Sequence, residues 1–280
     1  MAETLIVGGL TIDRFADGTS APGGSVMHSG LAAVAEGSTT AFLTVAGDEP
    51  EARLGLGTLA DLGMLLHQPA PATTTYRHDE RDGRRVLRLE AATDIIAADA
   101  RLPESPPSVA LLAPIAGELP AATIAGLRGR LRPATTVFLV QGWLRRLEVG
   151  RVVEAIPLDS VSADLWSVFS DADAVVLSTE DLAENLDDPF AQAAALRRHV
   201  GTKPAVVLTL GVHGYLLDDP AADAVTAVMP RRVVEGVPTV GAGDTFGVVF
   251  AIHLARGRTP AAAAGAAGEA VIRLFESRLA

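Results

Sequence analysis

Thr239-Val240-Gly241-Ala242-Gly243-Asp244-Thr245-Phe246 sets two glycines around a small residue, just before an apolar helical stretch from about Asp244 to Ala255. The first amides of a helix lack intrahelical acceptors and the positive end of its dipole lies there, so the stretch reads as an anion site. Glycine at 241 and 243 removes the Cβ atoms that would hold a phosphate away from the backbone. Asp244 then stands beside an anion, which it would repel unless it has a task. Taking a proton from an attacking hydroxyl is such a task. On spacing alone, the alternative is a glycine-rich turn with Asp244 as an ordinary charge in a first helical turn.

Upstream, short apolar runs alternate with helix-type segments. Leu5-Ile6-Val7, Ala41-Phe42-Leu43, Val109 to Leu112, Thr136 to Val140, Ala174 to Leu177 and Ala205 to Leu210 fit strands buried on both faces of a parallel sheet. Ser25 to Glu36, Glu51 to Leu62, Phe190 to His199 and the Ala-rich Pro260 to Ala270 read as helices. The alternation predicts an α/β doubly wound fold. The loops after Gly8, Gly47, Ala113, Gln141, Ser178 and Gly211 form its candidate ligand rim. Thr73 to His78 and Arg84 to Leu89 flank Asp82-Gly83, a hairpin signal, and Thr11 to Ser20 is extended and polar. These pieces, approximately 11–22 and 72–91, are expected to form a small β lid on a single domain spanning 1–280. The plainer alternative is one surface hairpin without a role.

Composition removes whole classes of chemistry. The 280 residues contain no cysteine, which excludes disulfides, thiol nucleophiles and cysteine-ligated metals. Lys203 is the single lysine, and Gly201-Thr202-Lys203-Pro204 does not fit a Walker A loop. A net charge of −11 argues against nucleic acid. The start lacks the basic and apolar pattern of a signal peptide, and the apolar run at Phe246 to Ala255 is too short to span a bilayer. A soluble cytoplasmic protein without a membrane partner is expected. Gly8-Gly9-Leu10 does not supply a dinucleotide fingerprint, and no Gly-x-Ser-x-Gly elbow is present. His67, His78, His199, His213 and His253 show no paired metal-ligand spacing and read mostly as surface or satisfied residues.

Two further glycine clusters precede the first motif: Pro22-Gly23-Gly24-Ser25, and Thr209-Leu210-Gly211-Val212-His213-Gly214. In this order and at these separations, the three clusters resemble the PfkB/ribokinase family of carbohydrate kinases over nearly the whole chain. The resemblance implies a ribokinase-like α/β fold: a mainly parallel, doubly wound sheet with helices on both faces and a small β lid. It implies an ATP-dependent phosphotransferase acting on a hydroxyl of a small sugar or polyol, whether inositol-like, sugar or nucleoside. Gly241-Ala242-Gly243-Asp244 matches the family's second signature, where the amides form an anion hole and the aspartate is the base. Asp13 and Gly23-Gly24 resemble the family's substrate-binding positions, and Gly47-Asp48 the Gly-Asp after its third strand. Thr209, Gly211 and Gly214 resemble the nucleotide loop.

The departures bear on substrate and metal. His28 stands where the family commonly has Asn; it binds a substrate hydroxyl, marks a different substrate, or is a satisfied helix histidine. The family's Asn-x-x-Glu, which organises Mg²⁺ and its waters, appears as Ser178-Thr179-Glu180-Asp181. Glu180 and Asp181 are then the implied metal carboxylates, with Ser178 in the Asn role at the cofactor site. Pro238 replaces an Asp linked to the family's monovalent-cation site, and the chain ends at Ala280, so potassium activation is not expected. Leu111 to Leu119 and Val140 to Arg145 are similar to segments of inositol-kinase-like members. Gln141 and Arg145 follow a strand at the rim and either reach substrate or, with Trp143, cover the sheet end. The resemblance also allows a homodimer through the lid. The replacements at His28, Ser178 and Pro238 keep a second class open: a catalytically weak or inactive nucleotide- or sugar-binding sensor.

Overall fold

A computed structural model describes residues 3–81, 84–183 and 188–279; the Asp82-Gly83 turn lies outside the described residues. The chain runs β1 (Thr4–Val7), β2 (Thr11–Phe15), β3 (Ser20–Gly23), α1 (Ser25–Ala35), β4 (Thr40–Ala46), α2 (Pro50–Leu62) and β5 (Met64–Pro69). Next come β6 (Thr74–Arg81), β7 (Arg84–Ala91), β8 (Val109–Leu112), α3 (Ala121–Leu131) and β9 (Thr135–Leu139). A short pair, β10 (Arg145–Arg146) and β11 (Glu154–Ala155), precedes α4 (Ala163–Ser170) and β12 (Ala174–Ser178). The chain closes with α5 (Pro189–Val200), β13 (Ala205–Thr209), β14 (Tyr215–Asp219), β15 (Ala224–Val228), α6 (Ala242–Ala255) and α7 (Pro260–Ser277).

Nine strands form the main sheet in the order β15-β14-β13-β12-β9-β8-β1-β4-β5. Every pairing from β5 to β13 is parallel, and β14 and β15 add antiparallel at one edge. Side chains alternate across a strand, which divides the core into two layers. Leu5, Val7, Leu43, Leu112, Phe138, Val175 and Leu177 face Ile124 and Leu127 of α3, Trp166 and Phe169 of α4, and Leu196 of α5. Ile6, Phe42, Leu111, Val137, Leu139 and Val176 face Val26 of α1, Leu59 of α2, Phe250 of α6 and Ala264 of α7. Thr245 to His253 of α6 are all buried, as an all-round apolar helix requires. Gly247 lets that helix settle on β9, because a Cβ there would overlap Leu139.

From β1 the chain moves outward to β4 and β5, then returns to β8 on the other side of β1. The gap beyond the β1 and β8 carboxyl ends is thus the topological switch point, where open α/β sheets take their ligands. Gly8 makes it narrow, since a Cβ there would overlap the Ala113 carbonyl.

The lid is a separate four-stranded sheet, ordered β3-β2-β6-β7. Its centre is parallel: Asp13 faces Tyr76 and Phe15 faces His78. The outer edge of β7 is covered by the segment before β11: Leu89 N donates to Arg151 O, Gly150 N to Leu89 O and Val153 N to Leu87 O. Tyr76 and Leu89 pack on Ile115, and the Tyr76 hydroxyl donates to the Ile115 carbonyl at 2.7 Å. The lid therefore rests on the loop that follows β8.

Three expectations are adjusted. The polar run Thr11 to Ser20 is a strand, a turn and the start of a second strand, the final helix extends to Ser277, and β5 and β15 add to the expected strands. No helix among the described residues is long and apolar enough to cross a membrane.

Candidate active site

Gly241 is the N-cap of α6 in the left-handed region, φ 79°, which glycine adopts without strain. The Ala242 amide donates to Thr239 O at 3.1 Å. The amides of Gly241, Gly243 and Asp244 have no acceptor among the described residues, so these are the open donors of the turn. The space over Gly243 is clear: a Cβ there would meet nothing within 4 Å. Asp244 is half-buried in the first helical turn, and its carboxylate makes no ion pair or hydrogen bond among the described residues. Arg278, beyond α7, donates to the carbonyls of Pro238 and Val240 and grips the segment leading into the turn.

The second glycine pair shows two different needs. A Cβ on Gly23 would overlap Asp13 Oδ2, so Gly23 is the notch that admits the Asp13 carboxylate. Gly24, φ 92°, caps α1, and a Cβ there would lie 2.7 Å from the Gly9 carbonyl. From this cap α1 runs straight to the anion turn. A Cβ on Gly241 would sit 2.8 Å from His28 Cγ and Nδ1, and the Ser29 hydroxyl donates to the Asp244 carbonyl at 3.3 Å. His28 Nε2 is buried without a hydrogen-bond partner among the described residues. Asp13, Gly23, Gly24, His28, Gly241, Ala242, Gly243 and Asp244 are thus joined through the first turns of α1 and α6.

A second group lies at the ends of β9, β12 and β13. Ser178 caps a short 3-10 turn, accepting from Glu180 N, while the Asp181 carboxylate reaches back to Ser178 N at 3.0 Å. The other Asp181 oxygen accepts from Gln141 Nε2 at 3.1 Å and Arg145 Nη2 at 3.2 Å. Asp181 is 3% exposed, so both oxygens are spent inside the protein. This carboxylate, implied as a metal ligand, holds Gln141 and Arg145. Glu180 beside it is exposed. Among the described residues no group of three or more His, Asp or Glu side chains gathers as a metal cage. Glu180 is the exposed carboxylate of this group, and an oxygen ligand of this kind suits Mg²⁺. Thr209 pairs in register with Ser178, and Gly211 (φ 59°) and Gly214 (φ 88°) form the tight turn after β13.

Two residues that the motifs did not single out hold the rim. Glu118 is buried and takes three amides: Gly9 N at 2.6 Å, Ile115 N at 2.8 Å and Ala116 N at 2.8 Å. It staples the two loops of the switch point. Burial pushes its carboxyl up, against the pull of those amides. His78 stands 3.0 Å from Asp13 Oδ1. Burial likewise raises the Tyr76 hydroxyl, with Arg145 opposing and Glu118 and Asp13 reinforcing, which places all four in one electrostatic neighbourhood. The available signal for His78 was strand periodicity, since Thr74, Tyr76 and His78 fall on one face. Nothing local marks Glu118.

No family model and no curated protein matches this sequence. Among solved structures, the chain resembles a pyrophosphate-dependent kinase in the ribokinase family complexed with a pyrophosphate analog and myo-inositol. That match has 18% identity and a TM-score of 0.74, over 95% of this chain and 92% of the other. Fructokinase from Vibrio cholerae O395, bound to fructose, ADP and calcium ion, matches at 20% identity and TM-score 0.70, over 97% and 90% of the two chains. Ribokinase from Thermotoga maritima matches at 16% identity and TM-score 0.69, over 99% and 100%.

The chain has the ribokinase fold. Its doubly wound sheet and small β sheet are those the resemblance implied.

Proposed function

We propose that this protein is a kinase that transfers the γ-phosphoryl group of ATP to a hydroxyl of a small sugar or polyol. The observation that carries the reading is the anion turn: open amides at Gly241 and Gly243 beside the half-buried Asp244 carboxylate, tied through His28 and Ser29 to the acceptor side. In the reaction the acceptor oxygen forms a bond to phosphorus as the bond to ADP breaks, and Asp244 takes the hydroxyl proton. The amides of Gly241 and Gly243 stabilise charge on the transferring group, and the Ala242 amide joins them where it leaves Thr239. Thr209, Gly211, Gly214 and Ser178 line the donor side. Mg²⁺, held by Glu180 and the donor phosphates, would neutralise phosphate charge.

Asp13 and the Gly23-Gly24 turn orient the acceptor, with the lid excluding water. Arg145 is already paired with Asp181, which favours an uncharged sugar or polyol over a sugar phosphate. Gln141, held by the same carboxylate, lines the acceptor end. The setting we propose is the cytoplasm, and a lid-paired homodimer would use the β3 edge, because β7 is covered.

Asp244→Asn should lower kcat by roughly 10²–10⁴-fold, the usual worth of a positioned base, with the donor KM little changed. Undiminished turnover in that variant would overturn the assignment. The screen that finds the acceptor offers sugars, inositols and nucleosides with MgATP or magnesium pyrophosphate, since one resembling structure is a pyrophosphate-dependent kinase. The internal use of Asp181 supports a second reading, a sensor that binds nucleotide or sugar without turnover. Ligand-induced thermal stabilisation with no ADP or phosphate released would select it.

A further inference from the structure

We propose that His78, on the lid strand β6, positions the Asp13 carboxylate for the acceptor's hydroxyl groups. The inference rests on the reading of Asp13 as an acceptor-binding residue and supplies the partner that makes it effective. His78 Nε2 stands 3.0 Å from Asp13 Oδ1, and the two side chains are only 9% and 12% exposed. The Phe15 ring lies tilted against the imidazole, 5.0 Å between centroids, and fixes its plane. Thr11 Oγ1 donates weakly to the same Oδ1 at 3.5 Å, while Oδ2 fills the notch left by Gly23.

A carboxylate turns through a broad well about its last torsion, and its ionised form only accepts hydrogen bonds. With Oδ1 in contact with the imidazole and Oδ2 in the Gly23 notch, that rotation is restricted. The remaining lone pairs then face one direction before the acceptor arrives, and less conformational freedom is lost on binding. The charges near the pair come from three elements. Arg145 precedes β11 and is committed to Asp181; Glu118 is committed to backbone amides; Tyr76, two residues before His78 on the same strand face, donates to Ile115 O. None of these replaces His78 at Asp13 Oδ1. Because Asp13 and His78 lie on different lid strands joined by parallel pairing, an acceptor-ready Asp13 requires an intact β2–β6 ladder.

The kinetic test separates positioning from stability. His78→Leu should raise the acceptor KM by roughly 10-fold, the worth of a close polar contact to a carboxylate, and leave the donor KM alone. His78→Gln keeps an N–H donor and should recover most of the loss. Asp13→Asn combined with His78→Leu should be no worse than Asp13→Asn alone, because the two act as one unit. Multiplying losses, or a glutamine variant as poor as leucine at an unchanged melting temperature, would overturn the proposal. A second readout needs no turnover. In ring ¹⁵N spectra of the whole protein, with the His78 signal assigned by its loss in His78→Gln, Asp13→Asn should shift the His78 nitrogens. An unmoved signal would overturn the pairing, even if the screen finds no acceptor and the kinase reading itself fails.

Discussion

Gly241 and Gly243 look equivalent in the sequence, yet they answer to different forces. At Gly241 the backbone is left-handed and the His28 ring presses on the missing Cβ, so alanine strains the turn and collides with the ring. Gly241→Ala should destabilise the fold by about 1–3 kcal/mol and lower the melting temperature. At Gly243 the backbone is ordinary and the space is open. Gly243→Ala should melt like the parent but, on the proposed reading, lose roughly 10²-fold in kcat, because the methyl group would intrude between the amide and a phosphate. Melting curves and initial rates on the two variants check both halves. Equal behaviour would mean that the open space over Gly243 holds no ligand.

Among elements, the loop after β8 bears the most consequence for the site, and a single side chain fixes it. Glu118 takes two amides on one oxygen and one on the other, joining Gly9 to Ile115 and Ala116. In Glu118→Gln the new amide donor must face a backbone donor, which should remove about 1–3 kcal/mol of stability in urea unfolding. The parallel strands were legible because each is a short apolar run buried on both faces, from Leu5 to Val7 through Ala205 to Thr209. So was the glycine turn that opens α6, whose geometry is local: two glycines before a helix. Glu118 was not legible, because its partners are set by the return of the chain from β5 to β8 rather than by neighbours in sequence. The same holds for Asp181. Its spacing suggests a metal ligand, whereas Gln141 and Arg145, about forty positions upstream, decide how its oxygens are used.

At the scale of the whole molecule, acidity is where distant parts act together. The Arg256 guanidinium bonds both Glu3 oxygens and holds that carboxyl below its ordinary value near 4.5, tying the first strand to the end of α6. A lowered folded value stabilises the protein above pH 4.5, and that stability is lost as pH falls through the folded value. Glu118 has the opposite sign: its raised value subtracts stability as pH rises above 4.5. Urea midpoints measured downward from pH 4.5 should therefore fall, and Arg256→Ala should flatten that limb. A limb of unchanged slope in the variant would show that the Glu3 contact is not its source. The parallel ladder between β2 and β6 has a further consequence, in the order of events. The segments α1, β4, α2 and β5 lie between its two strands, so the ladder closes only after that intervening core has formed. On the proposed reading, local opening of the lid should release an acceptor before the nine-stranded sheet unfolds.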